Sequence, residues 1–519
     1  MTISLQNLIQ GLSRHAASGS LDVPITGIRH DSRAVQPGDL FLCLRGAAFD
    51  GHRFALDALH RGAVALVVEA GGLERIDVTI PAEIPVITVP DSRAALSKIA
   101  CAFYGNPSHA MLMVAVTGTN GKTTTTHMVA SILRAHGLRV GTIGTIGADL
   151  DGEPLPSEHT TPEANQLQQL LATMRDRGAQ AVVMEASSHA LAQGRTDGIA
   201  FNVGVFTNLT QDHLDFHHTM EAYMAAKERL FTDYPILYPR PDGTPFCSVI
   251  NVNQWEGRDL VTQARGRIIT YSTTEMPAVL KPHNVVLGPE SITFDAIYDP
   301  GIKAESATIA LPIGGEFQVG NALGAIGAGL ALGVPLATIA KGLAHMPPVP
   351  GRFEPVSAQG LGFSVVVDYA HTPDGLANVL HSARKLNPTR LLCVFGCGGD
   401  RDRTKRPIMG RLAATLSEFA VVTSDNPRTE DPAAIIHEIM AGIDPADPEV
   451  SAEVVTEPDR RKAIELALRA AEPGSIMVIA GKGHETYQIV GTQPLPFDDR
   501  AVAAEILAVI ATERSATGS

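Results

Sequence analysis

Along this chain, short apolar runs alternate with stretches in which apolar residues recur every three or four positions, and Gly, Pro, Asn or Asp mark most changeovers. Met111 to Val116 has the length and composition of a strand buried on both faces. Lys122 to His136 carries Met128, Val129, Ile132 and Leu133 at helical spacing, with Gly137 placed to end a helix. The same reading gives strands over Ala63 to Val68 and Ile84 to Val89, and a helix over Ser92 to Tyr104. Thr161 as cap and Pro162 at the first helical position predict a helix whose apolar face is Leu167, Leu170, Leu171 and Met174. Strands follow over Ala181 to Met184 and Val203 to Phe206, and a helix over Tyr223 to Phe231. Between Ser248 and Ile309 strands are expected near Val249, Ile268 and Val286. The segment 314–321 then opens a helix with Leu323, Ile326 and Leu330 on one face, stopped by Gly333-Val334-Pro335.

After Pro347–Gly351, a stiff connector, strands over Ser364 to Val367, Leu391 to Phe395, Phe419 to Thr423 and Ile476 to Ala480 alternate with helices, the pattern of an open doubly wound sheet. With a second connector at Gly105–Ser108, the chain reads as an α/β protein of three domains. These are a small N-terminal α/β domain over 1–109, a central domain over 110–350 that is P-loop ATPase-like in carrying a glycine-bearing loop, 117–124, between strand and helix, and a C-terminal Rossmann-like domain over 351–519.

Composition narrows the function. The 519 residues are 45% hydrophobic, ample for several cores, and carry 41 basic against 55 acidic side chains, a net charge of −14. That balance argues against a nucleic-acid surface, so a phosphate ligand has to be held by a local cluster. The five cysteines are scattered and form no Cys-x-x-Cys pair, which points to a reducing compartment and away from zinc or a disulfide framework. Nothing approaches 18 continuous apolar residues, and Met1 to Gly11 lacks a basic segment followed by an apolar one. A cytoplasmic protein without membrane insertion is expected.

The chemistry centres on Val116-Thr117-Gly118-Thr119-Asn120-Gly121-Lys122-Thr123-Thr124, a glycine-bearing loop between strand and helix. Backbone N–H groups and a helix N-terminus in this layout hold phosphates; Lys122 would reach the terminal ones and the Thr123 hydroxyl would sit on Mg²⁺. A plain Walker A motif wants Gly at 116, where this chain has Val. We read the loop as an ATP site. Glu185, ending the strand Ala181 to Met184, is placed as a Mg²⁺ ligand, and His213 at another strand end points to the same pocket. The two Asp and three His of Thr207 to His218 suggest a transition metal only weakly, since no Cys accompanies them. Lys227, alone on its helix, reads as an ordinary solvated charge. His30-Asp31-Ser32-Arg33 reads as a loop with a helix cap, a phosphorylated-sugar contact being the alternative. Four strand ends deliver 368–373, 396–402, 424–428 and 481–485, predicting a crevice along one sheet edge.

Taken together, TGTNGKTT at 117–124, MEASSHAL at 184–191, TNLTQDHLDFH at 207–217, YMAAKERLF at 223–231, PGRFE at 350–354, DYAHTPDGL at 368–376 and GKGHE at 481–485 resemble the Mur ligases. These are ATP-dependent amide-bond formers of peptidoglycan precursor synthesis. Within the family the chain is most similar to the members that add meso-diaminopimelate to UDP-N-acetylmuramoyl-L-alanyl-D-glutamate. The resemblance implies that Lys227 is carbamylated and binds a second Mg²⁺, with Glu185 and His213 as further metal contacts and Lys122 at the phosphates. It implies adenosine contacts at Asn321, Arg352, Asp368 and His371, and UDP-dipeptide contacts at Ser32, Thr160, Thr161, Ser187, Gln193 and Arg195. Diaminopimelate would meet Arg401, the Asp425-Asn426-Pro427-Arg428 motif, Gly481 and Glu485. Where members often carry His-Gln in the first domain, this chain has Gly46-Ala47-Ala48, which leaves side-chain contacts to the nucleotide there open. A monomer is expected. Folylpolyglutamate synthetases share the central architecture but would not need the first hundred residues. A nonenzymatic nucleotide-binding relative would not need the set Lys122, Thr123, Glu185, His213 and Lys227.

Overall fold

The computed structural model describes residues 2–12, 15–46, 49–157, 159–358 and 360–517. Ala47 and Ala48 therefore lie outside the described residues. Among those described, the strands form three main sheets. The first orders Ala16–Ser18, Val86–Val89, Ala65–Glu69, Asp39–Leu42 and Gly27–Arg29, parallel except for the first edge. The helix Ser92–Tyr104 packs on it; Asp91 accepts from the Arg93 and Ala94 amides at its start, and Gly105 at φ +69° ends it.

The second sheet runs through eleven strands among the described residues. Its parallel centre is Val140–Gly144, Ala181–Glu185, Leu112–Thr117, Val203–Phe206, Cys247–Asn251 and Arg267–Tyr271, with antiparallel strands at both margins. Period-two alternation distributes the central strand between two cores. Val114 and Val116 face the helices Lys122–Ala135 and Phe317–Ala331, while Met113 and Ala115 face the helices Ala164–Asp176 and Met220–Thr232. Ile132 and Ile326 are fully buried on the first face, Leu171 and Leu230 on the second. Truncating any one to Ala would cost about 2–5 kcal/mol.

The third sheet orders Glu354–Val356, Ser364–Asp368, Ile476–Ala480, Leu391–Phe395, Phe419–Val422 and Glu453–Thr456, parallel after its first strand. Cys393 and Phe395 turn to one core, Leu392 and Val394 to the other. The four strands predicted to end in polar motifs are thus adjacent and parallel, and their carboxyl ends share one edge.

One element begins later than expected. The helix over Ala164–Asp176 is preceded by Glu163, which makes no capping bond, rather than by Thr161. The Thr161 hydroxyl donates instead to the Glu185 carbonyl at 2.8 Å, a partner 24 residues on that local sequence does not reveal.

Candidate active site

The loop after the strand Leu112–Thr117 explains the Val at 116. The strand continues through Thr117, so Val116 is a core residue with no exposure, and the turn begins at Gly118. Gly118 and Gly121 have φ +147° and +84°. A Cβ at Gly118 would lie 1.9 Å from Thr207 Oγ1, and one at Gly121 2.2 Å from Asn321 Oδ1. A side chain at either position would be strained and would displace its neighbour. Asn208 holds the loop from behind, its Oδ1 accepting from the Asn120 amide at 2.9 Å and its carbonyl from the Thr119 amide at 3.0 Å. Lys122 Nζ folds over the loop and donates to the Gly118 and Thr119 carbonyls at 3.1 and 2.8 Å. Burial pulls its pKa below the usual lysine range, opposed by Glu185 and Asp212.

Glu185 ends the neighbouring strand, in register with Val116, and is 1% exposed. Its carboxylate accepts from the Thr145 amide at 2.8 Å and hydroxyl at 3.1 Å. Lys227 overturns its reading as a solvated charge: it is 1% exposed and donates through Nζ to the Gly118 carbonyl at 2.7 Å, with Nζ 4.3 Å from the Tyr223 ring centre. Burial, then the nearby Lys122 charge, drives its pKa well below the lysine norm. Helical periodicity does not report this, because the face of Met220–Thr232 that carries Lys227 packs against the phosphate loop.

A cavity of about 480 Å³ gathers Lys122, Thr123, Glu185, His213 and Lys227 on one side and Thr160, Thr161, Ser187 and Arg195 on the other. The second group is internally linked. Thr160 and Thr145 share a hydroxyl contact at 3.2 Å, the Ser187 amide donates to Thr161 Oγ1 at 3.2 Å, and Arg195 donates to the Thr161 carbonyl at 3.0 Å and to Gln193 Oε1 at 2.9 Å. Ser32 does not line this cavity; it is buried at the start of the turn Ser32–Ala34, near His30, whose ring contacts Asn165 at 3.0 Å. His213 has a left-handed backbone, φ +55°, and its ring stands edge-on to His189 at 4.8 Å. Burial and the His213 and His217 rings push His189 down to about 4, so a neutral imidazole faces the cavity near neutral pH.

A larger cavity, about 970 Å³, opens on the other side of the loop, where Asn120, Gly121 and Thr123 meet Asn321, Arg352 and Asp368. Arg352 donates to Thr123 Oγ1 at 3.1 Å and lies 4.8 Å over the Tyr369 ring. Asp368 accepts from the Phe353 and Ala370 amides at 2.7 and 2.9 Å, and burial raises its pKa. His371 lines the smaller cavity rather than this one, with Nδ1 2.9 Å from the Tyr369 carbonyl.

Arg401, Asp425, Asn426, Pro427, Arg428, Gly481 and Glu485 line neither cavity but cluster at the edge of the third sheet. Arg428 Nη1 donates to the Gly399 carbonyl at 2.8 Å; Arg401 is exposed and donates to the Asp400 carbonyl at 3.4 Å. The cluster adjoins the smaller cavity through His484, whose ring is 5.1 Å from Tyr369. Its supports were not foreseen. Lys482, fully buried, reaches Asn426 Oδ1 at 2.9 Å, Glu485 at 3.3 Å and Asp425 at 3.5 Å. Arg460, also buried, pairs with Asp499 through two 2.7 Å bonds and donates to the Ser424 and Ala480 carbonyls, the residues preceding both motifs. Arg406 bonds Glu430, Glu438 and the Gly398 carbonyl. A lysine inside GKGHE between two glycines is a signal that could have been used; Arg406 and Arg460, in helical first turns, look like surface charges.

Among the described residues no helix is long and apolar enough to cross a membrane, and all five cysteines are buried free thiols.

Residues 116–329 match the Mur ligase middle domain, 351–483 the glutamate ligase domain of Mur ligases, and 24–104 the model described as the Mur ligase family catalytic domain. The UDP-N-acetylmuramoyl-L-alanyl-D-glutamate–2,6-diaminopimelate ligase of Geobacillus thermodenitrificans is 44% identical over 501 residues, spanning 96% of this chain and 98% of its own. A solved structure of a ligase of the same name is 31% identical, with a TM-score of 0.68 over 98% of this chain and all of its own. The Thermotoga maritima MurF ligase in complex with ADP shares the fold, with a TM-score of 0.60 and 18% identity over 95% of this chain and 98% of its own.

Proposed function

This chain belongs to the Mur ligase family, and we infer that it joins the γ-carboxylate of the D-glutamyl end of UDP-N-acetylmuramoyl-L-alanyl-D-glutamate to an amine of meso-2,6-diaminopimelate. ATP is converted to ADP and phosphate, and the product serves peptidoglycan precursor synthesis. The carrying observation is the smaller cavity, where the phosphate-loop cations and the Thr160–Arg195 cluster face each other around Glu185. In this reading 1–109 binds the UDP-sugar, 110–350 the ATP, and 351–519 the incoming amino acid.

A carboxylate oxygen attacks the γ-phosphorus as the bond to the β-phosphate oxygen breaks, giving an acyl phosphate and ADP. Two anions meet in this step, so Lys122, the N-terminus of Lys122–Ala135 and the amides around Gly121 must offset charge that water would otherwise screen. The amine then attacks the acyl carbon, loses a proton, and phosphate leaves with the electrons of the C–O bond. Arg195, Thr160, Thr161 and Ser187 hold the acceptor carboxylate in line, Asn321, Arg352, Asp368 and His371 hold the nucleotide, and Ser32 and Gln193 support the UDP-dipeptide.

The donors suit Mg²⁺: Thr123 offers a hydroxyl and Glu185 a buried carboxylate beside the phosphate loop, both hard oxygen ligands. Bound there, the ion supplies positive charge at the phosphates. His213 and Lys227 complete the set, the latter as its carbamate. An ammonium cannot ligate, but the uncharged amine that burial and Lys122 favour at Lys227 is the form that captures CO₂.

Selectivity for diaminopimelate over lysine rests on Arg428, whose guanidinium can meet the remote carboxylate. Without that carboxylate the cation goes unpaired at a cost of about 1–3 kcal/mol, which corresponds to roughly fivefold to 150-fold. Arg401, Asp425, Asn426, Pro427, Gly481 and Glu485 frame the same molecule. Mass spectrometry of products from the UDP-dipeptide and ATP with diaminopimelate, lysine or glutamate tests the assignment, the first alone giving a tripeptide. Arg428→Ala should abolish diaminopimelate ligation with ATP binding intact. Unchanged diaminopimelate kinetics in that variant would remove the basis for the specificity.

A further inference from the structure

Arg428 is held in an unusual way. Its backbone is left-handed, φ +51°, a conformation strained for a residue with a side chain. The segment that compensates is a hairpin of Tyr487–Val490 and Gln493–Pro496, whose strands pair with each other and with none of the three main sheets. Val490 and Leu495 are 45% and 50% exposed, so the hairpin buries little apolar surface, and a lone two-stranded hairpin is marginal in water.

Its attachment to the Asp425–Arg428 motif is polar and dense. The Arg428 amide donates to the Ile489 carbonyl at 3.1 Å, and the Gly491 amide returns a bond to the Arg428 carbonyl at 2.8 Å. The Ile489 amide donates to Asn426 Oδ1 at 2.9 Å, and Gln488 Nε2 donates to the Asp425 carbonyl at 2.6 Å. All four residues of the motif therefore lie within a span fixed at both ends by hairpin residues 488–491. Three of these bonds use a hairpin main-chain group and survive a change of its side chains; the fourth depends on the Gln488 amide.

We propose that the hairpin 487–496 is a splint that fixes Arg428 for the remote carboxylate of the incoming amino acid, and that Gln488 is a positioning residue for amino-acid selection. The proposal rests on the assignment of Arg428 to that carboxylate. It makes substrate grip and hairpin order reciprocal: a carboxylate on Arg428 lowers the freedom of the segment bonded to it, and loosening the hairpin weakens the grip.

Gln488→Glu keeps the shape but sets a carboxylate against the Asp425 carbonyl, and Gln488→Ala removes the donor. In the full-length enzyme with ATP and UDP-dipeptide saturating, both should raise the KM for diaminopimelate about five- to tenfold. kcat should stay within about twofold, KM for ATP should not move, and preference over lysine should fall. In the unmodified enzyme, diaminopimelate should slow hydrogen exchange at the Ile489 and Gly491 amides. An unchanged diaminopimelate KM, a parallel rise in KM for ATP, or exchange indifferent to diaminopimelate would each overturn the splint; the exchange measurement needs no variant to fold. Arg428→Ala separates the two ideas. If it abolishes diaminopimelate use while the Gln488 variants behave normally, only the splint fails; if it leaves that use intact, the underlying assignment fails.

Discussion

Asp374 of the third-sheet helix Pro373–Arg384 accepts a hydrogen bond from the Asn120 side chain of the phosphate loop at 2.7 Å. The same oxygen accepts from Thr210 Oγ1 at 2.8 Å, so one carboxylate fastens the third-sheet domain to the glycine loop that begins at Gly118. Asp374→Ala should raise the KM for ATP and lower kcat, each by roughly threefold to tenfold, while Asp374→Asn, which keeps an acceptor, should stay closer to the parent. Steady-state kinetics with ATP varied checks this; equal behaviour of the two variants would contradict it.

Lys227 makes a prediction about both chemistry and pH. Lys227→Met should lose ligase activity, for want of an amine to carboxylate, yet fold at least as stably at neutral pH. In CO₂-free buffer, where Lys227 is the free amine, its folded pKa lies below its unfolded value of 10.5, so over that interval the unfolded chain binds more protons and stability rises with pH. The methionine variant should lack that rise, and its advantage in denaturant midpoint should be largest on the acid side of the interval.

Glu430 should govern part of the acid limit. Its bonds to Arg406, and one from the Asp400 amide at 2.6 Å, hold its carboxyl down to about 2 from an ordinary 4.5. The stabilisation is fully present above 4.5 and is lost as pH falls towards 2, the sign expected of a depressed carboxylate. Glu430→Gln should flatten the stability profile in that window, seen by urea unfolding at successive pH values. It should also weaken diaminopimelate binding, because Arg406 then holds the Gly398 carbonyl less firmly.

Gly121→Ala should reduce ATP affinity tenfold or more by titration calorimetry. A left-handed alanine costs about 1–2 kcal/mol, and its Cβ would press on Asn321 Oδ1. Gly137→Ala, at φ +89° but with nothing within 4 Å of the added carbon, carries the backbone strain alone and should leave ATP affinity unchanged.

What could be read from the residues is what depends on near neighbours. The helix Ser92–Tyr104 matched its expected limits because Asp91 and Gly105 act within one turn of its ends. The phosphate loop and the four strand ends of the third sheet were legible for the same reason: strand, glycine and helix cap are adjacent in sequence. Thr161 misled because its hydroxyl is spent on a carbonyl in another strand. Lys227 misled because its helix meets the Gly118 carbonyl 109 residues away, and only the resemblance to a family corrected it beforehand. Ser32 sits in a loop whose residues read first as a helix cap and only second as a phosphorylated-sugar contact, and the turn that holds it stands off from the cavity.

The pair Arg460–Asp499 sets an order on biosynthesis. The carboxylate is translated 39 residues after the guanidinium it neutralises. Until Asp499 has been made, Arg460 lacks the carboxylate that bonds it directly, with the longer-range charges of Asp425 and Glu485 left to favour its burial, and its tether to the Ser424 and Ala480 carbonyls is weaker. A nascent chain therefore presents the strands of its first two sheets before the cation that tethers both third-sheet motifs can be buried, so those motifs are the last part of the molecule to settle.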